Sequence, residues 1–231
     1  MSLAWQDDNE LFQIMEHELF TAVVADCLDQ VGLLHQCLPP QIKALDRDMV
    51  VVGRAMTVIE ADIFSSELSS SRNPLLNKPF GLMLEALDDL KPGEVYFCTG
   101  GRVPYAMWGE LMSTRALRLG ARGAVLDGYT RDTKGILSLK FPTFAYGAYA
   151  QDQSPRGKVI DFRVEVEVGS VRVRPGDLVF GDYDGVLIIP REAEEEVLSR
   201  AIEKARGENL VREKISEGMS ATEAFEKYGI L

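Results

Sequence analysis

The sequence predicts an α/β fold with parallel strands, and one stretch of the 231-residue chain carries most of that prediction. Ala124 to Leu126 is a short continuous apolar run, as in a strand buried on both faces, and Glu94 to Thr99 is predicted to be a second strand. Between them, apolar residues recur at helical spacing from Gly109 to Leu119, and Gly120 stands where a helix would end. A strand, a helix and a strand in this order form a right-handed crossover, which makes the two strands parallel.

The residues before this unit predict helices and then one strand. Asn9 to Leu34 has helical periodicity that restarts at Thr21, a reasonable N-cap, and stops at Gly32. Met49 to Glu60 is rich in β-branched residues and predicts a strand, in which Gly53 marks a bulge or a close backbone approach.

The residues after the unit predict a strand-rich half and a final helix. Lys140 to Tyr146 and the region from Val159 to Pro190 contain strands, and apolar residues alternate along one of these strands from Phe162 to Val168. From Arg191 onward the pattern is that of one long, charged C-terminal helix. No linker or internal repeat interrupts the chain, so residues 1–231 are predicted to form a single domain.

The adjacent Arg131 and Asp132 follow the second strand, where ligands gather in α/β proteins. A guanidinium binds a carboxylate through two parallel hydrogen bonds, and a carboxylate is a hard oxygen ligand suited to Mg²⁺ or Mn²⁺. Residue types alone leave a second interpretation open. Asp132 could simply cap a short helix beginning at Thr133, and Arg131 could be a surface charge.

The start of the Gly109–Leu119 helix is predicted at the same end of the sheet. The first backbone amides of a helix have no intrahelical partner and form an anion site. Glu110 lies in the first turn, where it is either a carboxylate favoured by the helix dipole or a functional group.

Composition excludes several classes of protein. A formal net charge of -11 argues against nucleic-acid binding, which needs a basic face. Two histidines cannot build a histidine-rich metal centre, and three cysteines without paired spacing suggest neither a disulfide framework nor a zinc site. No apolar run reaches transmembrane length, and the first residues do not resemble a signal peptide, so we expect a cytoplasmic protein without a membrane partner.

The chain resembles the RraA-like family, which includes 4-hydroxy-4-methyl-2-oxoglutarate and 4-carboxy-4-hydroxy-2-oxoadipate aldolases. The matching pieces cover most of the chain in the order of the family: TAVVADCLDQVG, GRAMTV, KPGEVYF, WGELMSTRALRLGARGAVLDGYTRD, FPTFAYG, VRVRPGDLVFGDYDGVLIIP and the charged final helix. The resemblance implies a swivelling β/β/α, phosphohistidine-domain-like fold. It also implies a homo-oligomer, either a trimer or a hexamer, with sites between subunits.

The resemblance further implies how a 2-oxo acid would be bound. Arg131 matches the arginine that binds the pyruvyl carboxylate. Leu111 and Met112 match positions whose backbone amides hold the pyruvyl group, and Gly109 belongs to the same helix start. The distal half of the substrate would be selected by loops such as Ser65–Phe80.

A divalent metal, Mg²⁺ or Mn²⁺, is implied in the same way. Asp132 matches its direct ligand, and Glu110 matches an acidic residue that orders a metal-bound water and so positions the catalytic base. Aldolases of assigned activity carry Asp at this position, which puts the substrate in question. Glu208 is matched to a glutamate of the final helix that supports the metal waters of an adjacent subunit.

The implied activity is that of a metal-dependent class II aldolase, a carbon–carbon lyase. It would cleave a 4-hydroxy-2-oxo acid to pyruvate and a second carbonyl product, with oxaloacetate decarboxylation as a side activity. The same family also contains non-catalytic regulators that bind an endoribonuclease. Those usually lack the Arg-Asp pair, which is intact here as Arg131 and Asp132.

Overall fold

The structure, a computed structural model, describes residues 5–64, 72–102, 104–154 and 156–229. The chain forms two compact units, one of His35–Arg191 and one that joins the residues up to Leu34 with those from Glu192 onward. Nothing in this division tests the prediction of a single domain, which stays a prediction. Within the described ranges, no helix combines the length and the apolar character that crossing a membrane requires.

The larger unit contains the described strands. They are β1 (Lys43–Ala44), β2 (Val51–Asp62), β3 (Glu94–Thr99), β4 (Ala106–Trp108), β5 (Gly123–Leu126), β6 (Tyr129–Thr130), β7 (Thr143–Ala145), β8 (Gly157–Phe162), β9 (Val166–Val168), β10 (Val171–Val173), β11 (Leu178–Gly181) and β12 (Val186–Ile189). The main sheet has the order β1-β7-β5-β3-β2-β11-β12, and β8 also pairs with β2. β9 pairs with β10, and β4 with β6, in two small sheets.

The centre of the main sheet is parallel, as the crossover unit predicts. β3 pairs in parallel with β2 on one side and with β5 on the other. The helix between β3 and β5 is α4 (Glu110–Leu119), which follows α3 (Met83–Asp88) and precedes α5 (Thr133–Leu139). Gly120 ends α4 in the left-handed conformation with φ 82°, where glycine has no steric penalty.

Side chains on β3 alternate between two apolar layers, as strand geometry requires. Tyr96 packs in a cluster with Ala116 of α4 and Ile136 of α5, so the helices cover this face of the sheet. Phe97 packs in a second cluster with Val173 and its neighbours on the β9–β10 hairpin, which covers the other face. Because β3 is buried on both faces, the residues on both of its sides are mostly apolar.

The strand predicted to continue through Val168 is interrupted, and this part of the prediction is wrong. β8 ends at Phe162, and Arg163 adopts a left-handed conformation with φ 55°. The Arg163 guanidinium donates to both carboxylate oxygens of Glu94 at 2.7 and 2.9 Å and to the backbone oxygen of Asp89 at 2.9 Å. The strand thus ends where Arg163 bonds to residues distant in sequence, although the alternation of apolar residues continues past it.

Gly53 marks a close backbone approach and not a bulge. A Cβ atom there would lie 2.7 Å from the carbonyl oxygen of Gly93. The irregularity in β2 falls later, between Ile59 and Glu60, where its pairing with β8 shifts register. The close approach at Gly53 and the register shift both occur where β2 pairs with other strands, which are β11 and β8 on one side and β3 on the other.

Glu60 of β2 is buried, with 2% of its surface exposed. Burial raises the pKa of its carboxyl group to about 8, which outweighs the opposite effect of the Tyr105 and Cys98 side chains beside it. The fold therefore disfavours the ionised form of the Glu60 carboxyl group.

The smaller unit is helical. Its described helices are α1 (Asp8–Glu18), α2 (Thr21–Gln30), α6 (Glu194–Ser216) and α7 (Ala221–Tyr228). Phe20 occupies the cap position predicted for Thr21, which is instead the first helical residue of α2. The predicted single final helix is two helices, because Ser220 caps α7 by accepting from the backbone amide of Glu223 at 3.2 Å.

Candidate active site

The Arg131–Asp132 pair is positioned by a short strand that the sequence did not predict. β6 pairs in parallel with β4, and the backbone amide of Arg131 donates to the carbonyl oxygen of Trp108 at 2.9 Å. The Thr130 hydroxyl donates to the same oxygen at 3.0 Å. Since β4 leads through Gly109 directly into α4, these bonds hold the Arg-Asp loop beside the start of α4.

Trp108 fixes the point at which β4 becomes α4. Its ring is fully buried between Tyr96 and Phe141, with ring centroids 4.8 and 6.0 Å away. Its indole Nε1 donates to Ser113 Oγ at 2.6 Å, and that hydroxyl donates to the carbonyl oxygen of Gly109 at 3.1 Å. The first turn of α4 therefore has a defined position relative to the loop.

Asp132 adopts an uncommon backbone conformation, with φ 56° and ψ 32°. The left-handed region costs on the order of 1 kcal/mol for a residue with a side chain, although Asp tolerates it better than most. Its carbonyl oxygen accepts from the backbone amides of Gly135 at 2.8 Å and Ile136 at 3.2 Å, which begins α5. Asp132 therefore occupies the N-cap position of α5, as one of the two interpretations of the sequence predicted, but its side chain makes no capping bond.

Gly109 makes room for the Asp132 carboxylate. A Cβ atom on Gly109 would lie 2.7 Å from Asp132 Oδ2. Its φ of -157° is open to any residue, so packing requires the glycine, not backbone freedom. Gly109 precedes α4 instead of beginning it, and it lines the same cleft as Asp132.

The carboxyl group of Glu110 lies against Gly135 of α5, as the Asp132 carboxylate lies against Gly109. A Cβ atom on Gly135 would overlap the carboxyl group of Glu110. Glycine inside a helix is destabilising by roughly 0.5–1 kcal/mol relative to alanine, and this approach is a physical reason for accepting it. Glu110 and Asp132 line one surface depression together with Lys134. The sequence analysis did not single out Gly135. The available signal was a glycine inside a segment that otherwise predicts a helix.

Arg131 lies between two acidic side chains. Its Nη1 is 3.4 Å from Asp152 Oδ1, and its Nε is 3.8 Å from Asp132 Oδ2. The Arg131 side chain remains 41% exposed, so donors of its five-donor fork remain accessible to a ligand. Asp152 lies between β7 and β8, far from Arg131 in sequence, and no local pattern identifies it.

These residues line a cleft of about 270 Å³ within the larger unit. Its lining includes the predicted site residues Gly109, Leu111, Met112, Arg131 and Asp132. The N-cap residue of α4 is Gly109, which makes no side-chain capping bond, so an anionic ligand could take that place at the first amides of the helix. The Leu111 side chain is 82% exposed, which is compatible with a role through its backbone.

The structure does not test two further predicted contributions to this site. Glu208 lies on α6 in the smaller unit, 3.9 Å from Lys204 Nζ, and its role toward an adjacent subunit stays a prediction. Of the proposed selectivity loop Ser65–Phe80, residues 65–71 lie outside the described residues, while Phe80 lines the cleft. Within the described part of the chain, no group of three or more His, Cys, Asp or Glu residues could hold a metal ion.

Comparison with known proteins identifies the family. Residues 21–188 match the model of the RraA-like family, which is described as Aldolase/RraA. The chain belongs to the RraA-like family. It is 32% identical to a Halalkalibacterium halodurans protein named "Putative 4-hydroxy-4-methyl-2-oxoglutarate aldolase". The alignment spans 206 residues and covers 89% of each chain.

Solved structures confirm the predicted α/β class and the RraA-type fold. An uncharacterized Pseudomonas syringae protein superposes on the RraA-like chain with a TM-score of 0.79 at 26% identity, covering 94% of this chain and 96% of that one. Streptomyces coelicolor RraAS2, titled an unusual member of the RNase ES inhibitor RraA protein family, gives a TM-score of 0.76. It covers 90% of this chain and 100% of its own at 24% identity, which supports the fold alone.

Proposed function

We propose that this RraA-like chain is a divalent-metal-dependent class II aldolase that cleaves a 4-hydroxy-2-oxo acid to pyruvate and a second carbonyl compound. The observation that carries the proposal is one cleft lined by Arg131, Asp132 and the uncapped start of α4. A cation, a hard oxygen ligand and free backbone amides in one cleft suit a 2-oxo acid. The name of the Halalkalibacterium relative points to the same reaction class.

The C1 carboxylate of the substrate would be bound by Arg131. The guanidinium lies within 4 Å of a carboxylate oxygen of Asp152 and of Asp132. Its planar fork can form two parallel hydrogen bonds to one carboxylate. The backbone amides of Leu111 and Met112, in the first turn of α4, would hold the pyruvyl oxygens.

The residues present fit a divalent ion such as Mg²⁺ or Mn²⁺. Asp132 would hold the ion directly, since its carboxylate is not used as a helix cap and its side chain is 48% exposed. Glu110 lines the same depression and would act through water, which Mg²⁺ readily retains. A bound ion would supply Lewis-acid stabilisation of the negative charge that develops on the pyruvate enolate.

The cleavage itself is a retro-aldol reaction. The C4 hydroxyl loses a proton, the C3–C4 bond breaks with its electron pair remaining on C3, and C4 becomes a carbonyl carbon. The resulting enolate takes a proton at C3 to give pyruvate. Glu110 would orient the water that accepts the hydroxyl proton. Oxaloacetate decarboxylation passes through the same enolate and is the expected side activity.

The alternative of a non-catalytic regulator has weaker support. The Streptomyces RraA relative shares the fold at an identity that carries no argument about function. Arg131 and Asp132 are both present and line one cleft, which a binding-only protein would not require. The predicted trimer or hexamer, with Glu208 acting on an adjacent subunit, remains part of the proposal.

The test is release of pyruvate in the presence of Mg²⁺ or Mn²⁺, and then of EDTA. The substrates are a panel of 4-hydroxy-2-oxo acids that includes 4-hydroxy-4-methyl-2-oxoglutarate, together with oxaloacetate. We expect metal-dependent release that Asp132→Ala abolishes. Asp48→Ala is the matched control, because Asp48 lies in the same unit with its side chain 84% exposed. Absence of pyruvate from every compound, or release that EDTA does not reduce, would contradict the proposal.

A further inference from the structure

Asp152 is a charged residue of the cleft to which the proposed function assigns no role. The cleft lining includes an apolar wall from α3 and three charged residues, which are Arg131, Asp132 and Asp152. Asp152 Oδ1 lies 3.4 Å from Arg131 Nη1, and the Asp152 side chain is 38% exposed. This ion pair forms within one chain, so it does not depend on what an adjacent subunit contributes to the site.

The segment that carries Asp152 is held against the two short strands of the site. The backbone amide of Tyr149 donates to the carbonyl oxygen of Thr130 in β6 at 2.8 Å. The amide of Ala106 in β4 donates to the carbonyl oxygen of Gln151 at 2.8 Å, and Ala106 forms a parallel bridge with Asp152. Asp152 therefore has a defined position relative to the strands that place the Arg-Asp loop.

Further bonds fix the backbone on the other side of Asp152. Arg156 Nη1 donates to the backbone oxygen of Asp152 at 3.1 Å, and the amide of Gly157 donates to the carbonyl oxygen of Gln153 at 2.8 Å. These bonds form the turn that leads into β8. Because the backbone is already ordered, holding the carboxylate beside Arg131 costs only the freedom of one short side chain.

The Arg131 side chain benefits from such a partner because it is long and partly exposed. Its guanidinium lies at the end of a flexible stem with considerable rotamer entropy, and 41% of the side chain is exposed. A planar fork forms two bonds to a carboxylate only when its plane and one of its edges face the ligand. An ion pair at Nη1 restricts both, and it leaves other donors of the guanidinium for the ligand.

The other carboxylate beside Arg131 is less suited to this role in the proposed function. Asp132 Oδ2 lies 3.8 Å from Arg131 Nε, but Asp132 would hold the divalent ion. A carboxylate that binds a divalent cation no longer offers a net negative charge to its neighbours, and the ion itself repels a guanidinium. The attraction of Asp152 would then keep Arg131 in place.

We propose that Asp152 is a positioning residue that directs the Arg131 guanidinium toward the C1 carboxylate of the substrate. The proposal rests on the proposed function and adds a residue to its carboxylate-binding site. Asp152 acts through Arg131 and takes no part in breaking the C3–C4 bond. Since the C1 carboxylate has the same charge in the substrate and in pyruvate, a poorly directed Arg131 weakens the binding of both and changes KM more than kcat.

The test uses Asp152→Asn, which removes the charge and keeps the shape. With the compound of the panel that releases pyruvate fastest, we expect KM to rise roughly tenfold and kcat to stay within about threefold. The Kd for pyruvate, measured by calorimetry with Mg²⁺, should rise by a similar factor. Asp48→Asn is the matched control, because it removes the same charge from a 3.5 Å ion pair with Arg47, and Asp48 is not a lining residue.

A double-mutant cycle separates positioning from other roles of Asp152. In the Arg131→Lys background, which has no fork to direct, Asp152→Asn should change KM by less than about twofold. A tenfold rise in that background would overturn the proposal, since Asp152 would then act without Arg131. A lower kcat at unchanged KM would also overturn it, by placing Asp152 at the reacting atoms. So would a need for about tenfold more metal, which would make Asp152 a metal ligand.

The binding measurement separates this proposal from the proposed function. If Asp152→Asn weakened pyruvate binding in a protein that released no pyruvate from the panel, the aldolase would be overturned and the positioning role would stand. Metal-dependent release with KM and pyruvate affinity unchanged in Asp152→Asn would leave the aldolase standing and overturn this proposal alone. Absence of both release and binding in the wild-type protein would overturn the two together.

Discussion

Replacing Gly109 by alanine tests whether the position of the Asp132 carboxylate controls metal binding. The added Cβ atom would lie 2.7 Å from Asp132 Oδ2, whereas ordinary contacts of this kind begin at 3.4 Å. The carboxylate would therefore have to move by roughly 0.7 Å, the difference between those two distances. A displacement near 1 Å in a catalytic group, or loss of a positioning contact to a metal ligand, typically costs roughly tenfold to a hundredfold.

The backbone does not oppose this substitution. The φ of -157° at Gly109 is open to alanine, and the contacted atom lies at the end of a side chain that can rotate. We expect the free energy of unfolding to change by less than about 1 kcal/mol. Stability and catalysis should thus respond separately, which makes the variant informative.

The assay is pyruvate release titrated with Mg²⁺ or Mn²⁺, together with thermal unfolding of the same preparation. Gly109→Ala should need roughly tenfold to a hundredfold more metal for half-maximal activity, or lose kcat/KM by the same factor. Gly185→Ala is the matched control, since a Cβ atom there meets nothing within 4 Å. A folded Gly109→Ala variant with the metal dependence of the wild type would refute the reasoning that links this glycine to the metal ligand.

Three further predictions address the charged groups. Asp132→Ala should abolish metal-dependent turnover and change Tm by only a few degrees, because the side chain makes no capping bond; retained turnover would remove Asp132 from the metal site. Arg131→Lys should lower kcat/KM roughly tenfold to a hundredfold, since a point charge cannot form two parallel bonds to a carboxylate; an unchanged KM and kcat would contradict that role. Burial raises the pKa of Glu60 to about 8, so its contribution to stability is complete below its unfolded value of 4.5 and is lost as pH rises through 8. Denaturant unfolding should show a decline approaching about 5 kcal/mol by pH 9 that Glu60→Gln removes; the same decline in both proteins would place its origin elsewhere.

Short-range patterns in the sequence determined the centre of the fold. β3 has the predicted bounds, and α4 ends at Leu119 with the predicted Gly120 as its C-cap. The α5 helix begins at Thr133 with Asp132 at its N-cap, as one interpretation of the sequence predicted, although the Asp132 side chain makes no capping bond. Such elements could be predicted because periodicity, helix stops and strand burial leave a signal within a few neighbouring residues.

The sequence identified the charged residues of the site, but it did not predict how they are arranged in space. The adjacent Arg131 and Asp132 stand out in the sequence, as does Glu110 in the first turn of a helix. The short strands β4 and β6, which bring the loop to the start of α4, have too few residues to show any periodicity. Asp152 beside Arg131 gives no local signal either.

The sequence by itself thus determined the family, the parallel crossover unit and the identity of the charged residues. Only the tertiary structure decided that Gly109 accommodates Asp132, that Gly135 accommodates Glu110, and that α3 supplies an apolar wall to their cleft. The physical reason is the range of the interactions. Helix and strand patterns arise between near neighbours, whereas a carboxylate against a glycine Cα, or an ion pair that ends a strand at Arg163, joins residues that only folding brings together.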